Sequence, residues 1–219
     1  EETVTVLSRV NDDRLQEARI SSNASCTTNA ASPLIGILSD TVGVSHALLN
    51  TVHAYTASQS VVDAPSSDYR KGRAAAANII PTSTGAAVAT TKAHTHLASR
   101  FDGIALRVPV TVGSIVDITF VAARETSAEE INQILRQAAQ EERWRDLFTV
   151  VEEPVVSSDI IGAPYAAIAD LAMTRVVGGT LGKVLAWYDN ETGYAHTLIH
   201  HIKAASAHDS QPAPSETTA

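Results

Sequence analysis

The stretch Thr174-Arg175-Val176-Val177-Gly178-Gly179-Thr180-Leu181-Gly182-Lys183-Val184-Leu185-Ala186-Trp187-Tyr188 decides the fold class. Thr174 to Val177 and Lys183 to Tyr188 have the β-branched and aromatic content of strands, with Gly178-Gly179-Thr180 as the turn between them. Strands joined by so short a turn pair antiparallel. Gly103 to Val108 and Ile115 to Val121 read as two further strands, Val150-Val151 and Val155-Val156 as shorter ones, and Thr3 to Leu7 alternates so that the sequence opens already within a strand. Helices interleave with them. Pro33 to Leu38 reads as one, its Gly36 tolerated against a packed neighbour, and Ala86 to Leu97 as another. The clearest begins at Ser127, where Ser127 and Glu130 form a capping-box pair and Ile131, Ile134, Leu135 and Ala138 share one face. A closing helix from Tyr194 to Ala205 is expected to bury Tyr194, Leu198 and Ile202. The expected architecture is α+β, a mostly antiparallel mixed sheet with helices packed on it.

The 219 residues are 44% hydrophobic, enough for a core, and suffice for one large domain or two small ones. Residues 1–205 read as the folded domain, and residues 206–219, rich in Ser, Pro and Thr, as an unstructured tail. Net charge is −8, and no Lys/Arg cluster interleaves with aromatics, which argues against nucleic acid or an anionic membrane as partner. No stretch approaches the roughly 20 apolar residues of a membrane span, and Glu1-Glu2-Thr3-Val4 lacks the basic start of a signal peptide. With one cysteine an internal disulfide is excluded, and a cytoplasmic location is expected. The polar run from Tyr55 to Arg73 is a long loop of the kind that carries function. The apolar text of Ala74 to Ile80 then breaks at Pro81-Thr82-Ser83-Thr84-Gly85. The dinucleotide pattern Gly-x-Gly-x-x-Gly is missing, and Gly182-Lys183-Val184 lacks the hydroxyl residue of a phosphate loop.

The single cysteine, Cys26, lies in Ser21-Ser22-Asn23-Ala24-Ser25-Cys26-Thr27-Thr28-Asn29 at a strand-to-helix junction. A thiol there meets the positive end of a helix dipole and free backbone N–H groups, which should lower its pKa below about 8.5. His53 ends the apolar run from Ala47 to Val52 and is presented where a sheet gives way to a loop. Cysteine and histidine are the minimum of an activated nucleophile; the alternative is a small buried cysteine in a core. Arg107, in a strand, could equally pair with Asp102 or Asp117, and Trp187 and Tyr188 suit core packing. His196 and His200 stand i, i+4 but have no third ligand in sequence, so no metal is expected. His94 and His96 read as surface residues.

Five segments together are more specific. Ser22 to Asn29, His53-Ala54-Tyr55-Thr56, Asn78 to Ala87, Arg107-Val108-Pro109 and Ala186-Trp187-Tyr188-Asp189-Asn190-Glu191 resemble, in order, the glyceraldehyde-3-phosphate dehydrogenase family, and the likeness runs from about Val4 to Ile202. The resemblance implies a catalytic domain in which Cys26 adds to an aldehyde, His53 polarises the thiol and shuttles protons, hydride passes to NAD or NADP, and inorganic phosphate cleaves the thioester. It implies that Arg107 and Thr56 hold the substrate phosphate, that Ser25, Thr27, Thr84 and Gly85 receive the inorganic phosphate, and that Arg70 joins them, although its loop aligns loosely and Arg73 could substitute. By the same resemblance Asn190 binds the nicotinamide amide, Tyr194 packs beside it, and the protein forms a homotetramer. Family members also carry an amino-terminal nucleotide-binding domain, and no such glycine fingerprint precedes Glu1, so the cofactor is expected to be held mainly by a domain outside this chain. Ala30 stands where a second cysteine is common, and Thr192 where tryptophan is usual. Intact Thr82-Ser83-Thr84-Gly85 favours the triose enzyme over an erythrose-4-phosphate dehydrogenase; a non-catalytic oligomerisation domain is the alternative of another class.

Overall fold

The computed structural model describes residues 3–209. β1 (Val4–Thr5) pairs in parallel with β2 (Ser21–Ser22), and α1 (Cys26–Thr41), β3 (Val44–Ala54), β4 (Ile80–Ser83), α2 (Ala86–Ala93), β5 (Phe101–Val108) and β6 (Ser114–Ala122) follow. The chain continues through α3 (Ala128–Ala138), β7 (Phe148–Val151), β8 (Ala167–Val177), β9 (Leu181–Tyr188) and α4 (Thr192–Asp209). Seven strands make the main sheet in the order β4-β5-β3-β6-β9-β8-β7. Only the β3–β5 and β7–β8 joins are parallel; the other four are antiparallel, as the mixed sheet expected from sequence requires.

Helices cover one face. α1 is buried on all sides from Thr27 to Leu38, apolar from Pro33 to Leu38 and lined with small and polar residues before that, and it packs on β3, β6, β8 and β9 with α2, α3 and α4 around it. The other face of the sheet is open and leaves Leu48 and Ile104 more than half exposed. Gly36 does face a packed neighbour, since a Cβ there would come 3.3 Å from the Trp144 ring. The β8–β9 hairpin turns through Gly178 and Gly179 at φ +59° and +74°, values that cost an L-residue and that glycine takes freely. Opposite Phe120, Gly182 lacks the side chain that would otherwise collide with that buried ring.

Several expectations are corrected. α1 begins at Cys26 itself, and Pro33 sits inside it rather than near its start. Val155-Val156 is not a strand. Pro81 lies within β4, where a residue without an N–H is tolerated because β4 is the edge of the sheet. Ser127 caps α3 by accepting from the Glu130 N–H, but the Glu130 carboxylate turns to Arg124 and Thr126, so only half of the capping box forms. The buried face of α4 is Gly193, Thr197 and His201, while Ile202 is exposed. α4 also runs to Asp209, so residues 206–209 are helical rather than tail; residues 210–219 lie outside the described residues. His94 is buried between α1 and α2 against Ser32. Among the described residues no helix is long and apolar enough to cross a membrane.

A Cβ at Gly182 would fall 2.5 Å from Phe120 Cζ. Gly182→Ala is therefore expected to cost about 2 kcal/mol in urea unfolding, and Phe120→Leu in the same chain to cost less than it does alone. Strictly additive costs would show that the two positions do not meet.

Candidate active site

The sequence around Cys26 builds a sharp entry into α1. Ala24 takes a left-handed φ of 55°, uncommon without glycine, and Ser25 then caps the helix by accepting from the Thr28 N–H. Asn29 reaches back one turn to donate to the carbonyls of Asn23 and Ser25, and Asn23 donates to Thr197 of α4. The strained turn is thus fixed from both sides. β3 delivers His53 from the sheet: with side chains alternating, Leu49, Thr51 and His53 all face the covered side. These two elements set Cys26 Sγ 3.4 Å from His53 Nε2.

The histidine is oriented from behind. Its Nδ1 lies 2.6 Å from the Ala54 carbonyl, and a proton held there leaves the Nε2 lone pair facing the thiol. Arg107, opposite His53 in the β3–β5 register, donates through Nη1 to the same carbonyl at 3.1 Å and lies against Nδ1. A guanidinium accepts nothing, so with the proton on Nδ1 its hold is on the carbonyl, which has two lone pairs. Neither aspartate proposed for Arg107 pairs with it: Asp117 engages Lys183, and Asp102 its neighbour's N–H.

Burial pushes the Cys26 thiol up from its ordinary value, against the pull of Thr27, of backbone N–H donors and of the Arg107 charge. This corrects the sequence expectation, because the helix terminus is present but desolvation outweighs it. Burial also takes His53 down to about 4, helped by Arg107 and opposed by the Ala54 carbonyl. The resting pair is therefore neutral thiol and neutral imidazole.

In front of the pair lies a cleft of about 370 Å³ lined by Ser25, Thr27 and Thr28 at the start of α1, by Thr84, Gly85 and Ala86 at the start of α2, and by Arg107. Two helix N-termini and a guanidinium on one small space make an anion site. Arg107 Nε is buried without a partner among the described residues, a donor left over for an incoming acceptor. At Gly85 a side chain would meet nothing within 4 Å, so the wall there is open.

Of the residues singled out from sequence, Ser25, Cys26, His53, Thr27, Thr84, Gly85 and Arg107 come together on this cleft. Thr56 and Arg70 do not line it. Thr56 closes a local turn on Ser58 and Gln59, and Arg70 is exposed in the long loop with its N–H on Asp68. Arg73 pairs with Asp63 in that loop. Asn190 follows β9, and its Oδ1 accepts from the Gly113 N–H and the Ser114 hydroxyl. Asp189 beside it accepts from the N–H groups of Gly162, Glu191 and Thr192; although burial opposes its charge, these donors hold its carboxyl below the usual range. Tyr194 on α4 reaches the Ala24 carbonyl at 3.5 Å, beside the turn into Cys26. Sequence reading missed Thr51 and Ser114; the signal was a polar residue on the core-facing side of a strand.

His94, like His53, is held by burial down to about 4. Both rings stay neutral in the fold until about pH 4 but protonate near 6.5 when unfolded, so the unfolded chain binds more protons in between. Their contribution, on the order of 3 kcal/mol each, is complete above about pH 6.5 and is lost as pH falls through about 4. Urea midpoints taken from pH 7.5 down to 4 should fall across that window, and a His94→Gln chain should show a shallower slope; equal slopes would contradict the neutral buried ring.

A family model described as glyceraldehyde 3-phosphate dehydrogenase, C-terminal domain, matches residues 25–190. Glyceraldehyde-3-phosphate dehydrogenase 1 of Streptomyces avermitilis is 46% identical over 200 residues, covering 90% of this chain and 59% of that protein. Glyceraldehyde-3-phosphate dehydrogenase 2 of the same organism is 43% identical over 201 residues, covering 91% and 60%. The Mycobacterium leprae glyceraldehyde-3-phosphate dehydrogenase is 44% identical over 197 residues, covering 90% and 58%. The chain thus spans about three-fifths of the length of these curated relatives. With Cys26, His53 and the cleft in front of them all inside the matched span, this chain belongs to the glyceraldehyde 3-phosphate dehydrogenase C-terminal domain family.

Proposed function

We propose that this chain supplies the catalytic part of a phosphorylating glyceraldehyde-3-phosphate dehydrogenase. The observation that carries the reading is the 3.4 Å approach of Cys26 Sγ to His53 Nε2 at the edge of an anion cleft. The thiol adds to the aldehyde carbon, forming a C–S bond, while its proton passes through His53 to the carbonyl oxygen. A neutral imidazole at working pH suits this step, because it can take the proton as the sulfur attacks. The Cys26 N–H and His53 stabilise the tetrahedral oxygen. A nicotinamide dinucleotide, when bound, accepts the hydride that leaves this carbon. His53 removes the hydroxyl proton as a thioester is made, and a phosphate oxygen then attacks the carbonyl. The C–S bond breaks, the sulfur recovers its proton from His53, and an acyl phosphate leaves.

Arg107 and the starts of α1 and α2 serve the phosphate groups, with Ser25, Thr27, Thr84 and Gly85 around the inorganic phosphate. Thr56 and Arg70 would join only if the Tyr55–Arg73 loop shifts when substrate binds. The residues toward the cofactor fit it. Asn190 has its Oδ1 occupied by two donors, which leaves the NH2 end to donate to a ring carboxamide, and Tyr194 stands next to the Cys26 turn. The open apolar face of the sheet, with Leu48 and Ile104 exposed, suits assembly into a homotetramer.

Phosphate-dependent reduction of NAD by glyceraldehyde 3-phosphate should be measured on the chain alone and with the unmatched part of a Streptomyces relative supplied as a separate polypeptide. Cys26→Ser should reduce it to background, and His53→Asn should lower kcat by about 10²- to 10⁴-fold. Arg107→Ala should raise KM for the phosphorylated aldehyde far more than for its unphosphorylated analogue. Activity that survives Cys26→Ser would overturn the assignment.

A further inference from the structure

Tyr188 ends β9 completely buried, yet its hydroxyl lies 2.8 Å from Thr27 Oγ1 and 2.8 Å from Thr51 Oγ1. Those two threonines sit on the elements that carry the reacting pair. Thr27 follows Cys26 at the start of α1, and Thr51 precedes His53 by two residues on the same side of β3. The ring of Tyr188 also stands edge-on to His53, with centroids 5.9 Å apart and planes at 71°. One phenol therefore ties helix to sheet at the point where the Cys26–His53 separation is set.

The hydroxyls have a defined direction. Thr51 donates to the Ile115 carbonyl at 3.2 Å, which can only accept. Tyr188 must then donate to Thr51, and Thr27 to Tyr188. Thr27 is also, after burial, the largest influence on the Cys26 thiol, and it acts to lower its pKa. Once that sulfur is a thiolate, the Thr27 hydroxyl can turn to it while Tyr188 turns its proton to Thr27 and Thr51 turns its own from the Ile115 carbonyl to Tyr188, and no proton changes owner. The other groups facing the sulfur and the phenol are His53, Arg107 and the hydroxyl of Ser114. The phenol stays protonated throughout, since burial holds its pKa far above the ordinary value. It works as a dipole and not as an acid.

We propose that Tyr188 is a positioning residue for the reaction proposed above: with Thr27 and Thr51 it forms a reorienting hydroxyl relay that fixes the Cys26–His53 approach and stabilises the thiolate when it forms. The proposal rests on that functional reading for its catalytic meaning, but its chemistry is visible at Cys26 alone.

The test is the rate of Cys26 alkylation by iodoacetamide as a function of pH, which needs neither aldehyde nor cofactor. In Tyr188→Phe the midpoint should move up by about one pH unit, because an apolar edge replaces a dipole beside the forming charge. Thr51→Val should move it the same way, the double variant no further, and Thr51→Ser should keep the parental midpoint. In the dehydrogenase assay Tyr188→Phe should lower kcat about tenfold with KM unchanged. A folded Tyr188→Phe chain with the parental midpoint overturns the relay and reduces Tyr188 to packing. If Tyr188→Phe does not fold, Thr51→Val decides: a raised midpoint supports the relay, and a midpoint equal to that of Thr51→Ser overturns it. A shifted midpoint in a protein without dehydrogenase activity would sink the functional reading and leave the relay standing.

Discussion

The burial of α1 against the sheet is the constraint on which the rest depends. Every residue of that helix from Thr27 to Leu38 is enclosed, so the helix has no freedom to slide, and its first turn is held where β3 ends. The distance between a sulfur on the helix and an imidazole on the strand follows from that packing. It is finished by hydrogen bonds: Ser25 and Asn29 shape the entry, and the Tyr188 hydroxyl joins Thr27 to Thr51. Packing at interior density transmits such positions with little slack.

The same enclosure decides the electrostatics. A cysteine at a helix N-terminus is ordinarily an acidic thiol, yet here burial raises it and drives His53 the other way. The result is a pair that carries no charge at rest. Around it the cleft is arranged for anions, with two helix starts and a guanidinium whose Nε has no partner among the described residues. An anion placed there would favour a protonated His53 and disfavour a Cys26 thiolate.

Much of this was legible in the chain. The β8–β9 hairpin, β5, β6 and the Ser127 start of α3 followed from local periodicity and turn residues, and the resemblance carried by Cys26, His53 and Arg107 led to residues that do share one cleft. What local text could not show was depth. The rise in the Cys26 pKa, the burial of His94 and the inward turn of His201 rather than Ile202 depend on what covers them. The helix expected from Pro33 to Leu38 is instead the middle of a longer one, which the surrounding core holds together through Pro33. Tyr188 looked like packing because its partners Thr27 and Thr51 are remote in sequence, and only the β9 register brings its hydroxyl between them.

The most direct test of a neutral, oriented pair is the nitrogen-15 NMR spectrum of the His53 ring between pH 3 and 8. A proton on Nδ1, which the Ala54 carbonyl favours, an unprotonated Nε2 and a titration near 4 are the result expected. An imidazolium at pH 7, formed as an ion pair with a Cys26 thiolate, would contradict it.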